Sequence, residues 1–219
     1  MFGKRGIPPD NAGSPTASGV LEKLGPAAKD MTGALMQAYR NEQGIHAETI
    51  IGAVAALCGE FALRAAAEKS GQVLPESGWV VGGIADALLY SGEISAWTLI
   101  RVAAARAGAD DAALPDMAEI VARTASAVGG SPFPPLSIPN EHYPLEWSPN
   151  ACPRHRAAIA EIADRHGLSG EETVLALALS VNILISQTKE VIAPALTARL
   201  AADIMIGVSG MAPMQAEVT

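Results

Sequence analysis

Apolar residues run almost without interruption from Ser169 to Thr188, SGEETVLALALSVNILISQT, and two periods fit that run. Leu175, Leu177, Leu179, Val181, Ile183 and Ile185 alternate with smaller or polar residues, which is a strand pattern. Val174, Leu177, Ala178, Val181, Leu184, Ile185 and Thr188 fall instead on one helical stripe. Three features favour the helix. Ser169 with Glu172 three residues on forms a capping box that satisfies the first free amides. Glu171 and Glu172 lie at the positive end of the helix dipole. Ala176 and Ala178 suit a helix and are poor strand residues. The run falls short of the ~20 apolar residues of a membrane span and is closed by Lys189 and Glu190. It is therefore predicted to be the central, buried helix of a bundle.

Similar patterns before and after it predict further helices. Ala27 to Arg40 carries Met31, Leu35 and Ala38 at helical spacing. Ile45 to Ser70 is strongly apolar and is closed by Glu68, Lys69 and Gly71. Within it, Gly52, Ala55, Ala56 and Gly59 would let another backbone come close. Ile84–Tyr90 and Glu93–Ala107 read as helices, and a further one follows Pro115 to about Val128, before Gly129 and Gly130. Arg154–His166 reads as amphipathic, and Ala193–Val208 has Pro194 in its first turn. The tail from Ser209 is expected to fray.

Two stretches resist a helix. Residues 73–81 hold β-branched and aromatic residues around Pro75-Glu76-Ser77-Gly78, which suits a small hairpin or an extended strap. Residues 131–153 contain seven prolines yet also Phe133, Leu136, Ile138, Tyr143, Leu145 and Trp147. So many large apolar groups do not suit a free linker, and an ordered strap laid across the bundle is expected. Its Pro132-Phe133-Pro134-Pro135 run offers a short polyproline ligand as a lesser reading. Residues 1–26 are rich in Gly, Pro and Ser and read as a flexible arm, and 27–219 as one helical domain. The fold class expected is all-α, with about seven or eight helices.

Composition narrows the choice of function. Of 219 residues, 49% are hydrophobic and 17% charged, more apolar matter than a lone monomer readily hides. A homo-oligomer, most simply a dimer, is expected. The net charge of −8 opposes binding to nucleic acid, whose affinity comes from neutralised phosphates, and to an anionic membrane surface. Cys58 and Cys152 make no disulfide framework, which fits a reducing cytoplasm of the bacterial type. No apolar stretch follows Lys4 and Arg5, so no signal peptide is read there.

Two groups of residues could carry chemistry. His46-Ala47-Glu48 resembles the H-x-E half of the zinc deaminase signature, and Cys152 with His155 has the two-residue gap of its second half. The resemblance implies His46, Cys152 and His155 as zinc ligands and Glu48 as the catalytic proton carrier. His155 replaces a cysteine of that pattern and Ala151 a proline, and helices replace its α/β core. The second group is on the strap: Glu141, His142, Tyr143, Glu146 and Trp147, an acid–base pair, weak metal site or set of aromatic anchors. Among them His142, Tyr143 and Trp147 are the candidate binding residues. Asn182 is expected to be a hydrogen-bonded core residue, Glu60 to pair with Arg64 or face water, and Cys58 to be a small buried hydrophobe. No P-loop, Gly-x-Ser-x-Gly or HExxH motif is present. The leading expectation is a non-enzymatic protein without cofactor that self-associates and binds a partner or small apolar ligand. A zinc-dependent hydrolase is the alternative.

Overall fold

The computed structural model of the chain describes residues 17–80, 83–127 and 133–215. Those residues form seven α-helices and no strand. They are α1 (Ala17–Ala38), α2 (Ala47–Ser70), α3 (Ala96–Arg106), α4 (Met117–Ala127), α5 (Ala151–Arg165), α6 (Gly170–Thr188) and α7 (Pro194–Ser209). The chain is a compact helical bundle, as its periodicity predicts.

The helical reading of α6 is visible in its burial. Val174, Leu177, Ala178, Val181, Leu184 and Ile185 are buried, whereas Leu175, Leu179 and Ile183 of the alternating pattern are only half-buried. Both arms of the Ser169–Glu172 capping box are made. α6 packs against α1, α2, α3 and α7. Centrality, however, belongs more to α2, where 18 of 24 residues are buried. Its glycines explain how it is enclosed. A β-carbon on Gly59 would strike the carbonyl oxygen of Met205, so α2 and α7 meet backbone to backbone. α2, and the bent α5–α6 pair if counted as one span, are long and apolar enough to cross a membrane. For α2, 89% of that window lies inside the bundle.

α1 begins at Ala17, ten residues before the predicted start at Ala27. The helix continues through Gly25-Pro26, and Pro26 sits on the exposed side where the carbonyl it leaves unpaired can be hydrated. The remainder of the predicted arm, residues 1–16, lies outside the described residues. The short helix predicted over 84–90 is present as a single wide π-helical turn, Ala87–Ser91, closed by Gly92 N–H to Ala87 O at 3.1 Å. α5 turns into α6 through Gly167, whose φ of 61° a side chain would resist, and the two helices meet at 110°.

Among the described residues 73–80 no hairpin is seen, and the segment is extended at Trp79. Trp79 instead bridges Met211, with Val80 N–H donating to Gly210 O at 2.8 Å and Ala212 N–H to Gly78 O at 2.9 Å. Val81 itself lies outside the described residues. The same bridge corrects the expected fraying of the tail. Ala212 is buried, and Arg156 donates to the Met214 carbonyl at 2.6 Å. A two-residue pairing between segments about 130 positions apart leaves no trace in local alternation.

Candidate binding site

The proline-rich segment is an ordered strap from Phe133 to Asn150, with Ser131 and Pro132 outside the described residues. Each of its stations rests on a polar group supplied by the bundle. At the start, Asp203 of α7 accepts from Ser137 N–H at 2.6 Å and its hydroxyl at 2.7 Å, and pairs with Arg123 of α4. Burial raises the Asp203 carboxyl above its ordinary value, against the lowering effect of Ser137 and of Arg123 and Arg199. In the middle, Glu48 of α2 meets His142 Nδ1 at 2.9 Å, and Thr49 Oγ1 accepts from Leu145 N–H at 2.9 Å. At the end, Glu146 accepts from the Tyr39 hydroxyl at 2.6 Å and pairs with Arg154 at 3.0 Å. Burial, then the bond to Glu146, drives the Tyr39 phenol well above its usual range.

Missing side chains let the strap lie close. A β-carbon on Gly52 would collide with Ser148 and Pro144, and one on Gly207 with the Phe133 ring. With several of its polar groups tied to the bundle, the strap presents a largely apolar pocket outward, with Glu146 at its lining. Phe133, Leu136, Tyr143, Leu145 and Trp147, over a floor of Ile204, line a pocket of about 450 Å³. Phe133 and Trp147 meet edge to face at 6.3 Å, and the Tyr143 hydroxyl donates back to Leu136 O at 3.1 Å. Tyr143, Leu145 and Trp147 are 36%, 76% and 40% exposed, large apolar groups left in water around one concavity.

The predicted site residues are divided differently from the two groups read in the sequence. Glu48 lies between His46, whose Nε2 is 3.5 Å away, and His142, so one member of each group meets at the same carboxylate. His46 Nδ1 also bonds Thr49 Oγ1 at 2.9 Å. Cys152 is buried beside Glu60, and desolvation, then that carboxylate, pushes its thiol well up. His155 packs on the Tyr39 ring at 5.3 Å, and burial, then Arg154, draws it below the ordinary imidazole value. The three expected zinc ligands are not gathered: among the described residues no three His, Cys, Asp or Glu are grouped to hold a metal ion. Tyr143 and Trp147 do share the pocket, while His142 is occupied as an anchor behind it. Glu141 is exposed on the outer turn. Pro134 is buried, so the proline run is not presented as a free ligand.

Two polar clusters were harder to foresee. Glu60, 2% exposed in the apolar middle of α2, pairs with Arg64 as expected and also with Arg156, 96 residues away, whose Nη2 lies 2.9 Å from Oε2. Its signal was a lone carboxylate in an apolar run, as for Asp203 in α7. Asn182 is not the satisfied core residue expected, for its Oδ1 is buried without a hydrogen-bond partner.

No protein-family model, curated protein or solved structure matches this chain. The class of protein is set by its own architecture, a seven-helix bundle bound by an anchored proline-aromatic strap.

Proposed function

We propose that this chain is a non-enzymatic binding protein whose strap pocket takes a small apolar ligand. The supporting observation is the set of large apolar side chains, Tyr143, Leu145 and Trp147, left exposed around one pocket of about 450 Å³. The strap that carries them is tied down at Leu145 N–H by Thr49, at the His142 and Glu146 side chains by Glu48 and Tyr39, and at Ser137 by Asp203, so the pocket exists before a ligand arrives and little ordering is required on binding. The neighbouring carboxylates and imidazoles are engaged with one another in this anchoring, which is a binding role more than a catalytic one.

The reading extends to self-association in a reducing cytoplasm. Val73, Val191 and Ile94, at 95%, 78% and 58% exposure, add apolar surface that a second copy would cover. Both cysteines are free and buried, as suits a reducing compartment. Light scattering after size-exclusion chromatography giving only monomer would remove this extension.

Titration with the neutral apolar probe N-phenyl-1-naphthylamine tests the pocket. Saturable binding is expected, with emission from Trp147 perturbed. Trp147→Ala should weaken binding about tenfold, since a partly exposed indole covered by ligand contributes on the order of 1–2 kcal/mol. Equal binding by the variant would refute the assignment.

A further inference from the structure

A second groove, independent of the strap, lies between α3 and α6, with a volume of about 480 Å³. Its walls are Leu99 and Val102 from α3 and Leu179 from α6, and its rim carries Arg106 and Lys189. Val102 is 43% exposed. Arg106 has no ion-pair partner among the described residues. Lys189 has only Glu190 at 4.0 Å, itself 85% exposed and too loosely held in water to compete with a bound anion. The rim lies at the carbonyl ends of both helices, each bringing about −0.5 of a charge, so the two cations outweigh the helix ends by about one unit, an excess that Glu190, exposed in water beside Lys189, offsets in part. In a chain of net charge −8 such a locally positive spot stands apart, and charges more than ~8 Å away are largely screened.

Asn182 is the second observation. It lines this groove, and its buried Oδ1 has no hydrogen-bond partner, a condition native proteins rarely leave uncorrected. With that oxygen on the buried side, the amide's NH₂ group is the end left toward the groove, a donor suited to an anion. We infer that the α3–α6 groove binds a small amphiphilic carboxylate, its head on Arg106, Lys189 and the Asn182 amide and its short aliphatic tail along Leu99, Val102 and Leu179. A neutral apolar molecule would leave both cations and the amide unused, and a compact inorganic anion would leave the apolar walls wet.

Isothermal titration of the full chain with octanoate tests this. One site is expected, weakening as salt is raised from 50 to 500 mM, which shortens the Debye length to roughly a third. Arg106→Gln and Lys189→Gln should each weaken it about tenfold, the range for loss of one charge-assisted hydrogen bond. Both residues are exposed, so the variants keep their fold, which far-ultraviolet dichroism verifies. Asn182→Leu should also weaken binding, whereas Trp147→Ala should not, which separates this groove from the strap pocket. The inference is overturned if 1-octanol binds as tightly as octanoate, or if the Arg106→Gln/Lys189→Gln double variant binds octanoate unchanged. Binding to anionic vesicles without binding to free octanoate would overturn it as well.

Discussion

Replacing Glu60 tests whether the buried ion cluster holds the bundle together. Glu60 is 2% exposed and accepts from Arg64 at 2.6 Å and from Arg156. Arg156 in turn holds the Met214 carbonyl. Glu60→Ala strands two guanidinium groups and opens a void between α2 and α5. Removing one partner of a buried pair typically destabilises by about 3–5 kcal/mol. Here the lower end applies, because the Arg64 and Arg156 side chains are 37% and 22% exposed and can partly turn to water. At roughly 2–4 °C per kcal/mol for a chain of this size, about 3 kcal/mol lowers the melting temperature by about 6–12 °C. Calorimetry and urea unfolding provide the assay, with Glu60→Gln as the isosteric control expected to lose less. A Glu60→Met/Arg156→Met double variant should recover part of the loss, because apolar volume fills the site and removes the more buried of the two stranded cations, leaving Arg64 to turn to water. An unchanged melting temperature in Glu60→Ala would refute the reasoning, as would a double variant worse than the single.

Three further outcomes follow from the same geometry. Gly59→Ala should destabilise by about 1–2 kcal/mol, overpacking against Met205 outweighing the helix-propensity gain, while Gly33→Ala, with open space around it, should stabilise by about 0.5–1 kcal/mol; urea midpoints of opposite sign check the pair. Burial pushes the Cys58 thiol up to about 12 and raises that of Cys152, so Ellman's reagent should leave both untouched until the protein unfolds. Because those folded-state values lie above the unfolded one, the unfolded chain releases the protons first, and stability should fall as pH rises past ~8.5. His155 has the opposite sign. Its folded value is lowered, so the unfolded chain takes up the proton first and stability is lost as pH falls below ~6.5. His155→Phe, which keeps a ring on Tyr39, should therefore lose less stability than the natural chain between pH 7 and 5, and parallel melting curves would count against this.

The helices were legible because their causes are local. A capping box, a stripe at 3.6-residue spacing and a glycine at a helix end act within one or two turns. Thus α6 appeared with its cap, and α2 with its small-residue face, before any tertiary contact was known. The same logic read the strap as ordered, since the prolines up to Pro149 oppose a helix and its aromatics need a surface, although α5 begins at Ala151 and takes Pro153 into its first turn. Long-range partners have no such local sign. Trp79 pairs with Met211, Glu60 with Arg156 and Asp203 with Ser137, at separations where neither period nor spacing carries information. The candidate chemistry shows the division most clearly. Spacing alone placed His46 and Glu48 with Cys152 and His155, but the packing of α5 on α2 sends Cys152 to Glu60, whereas the strap brings His142 to Glu48. Residue type announces that a group must find a partner, because a buried charge cannot stand alone. Which partner it finds is settled by which elements pack together, and that depends on the whole bundle closing at once.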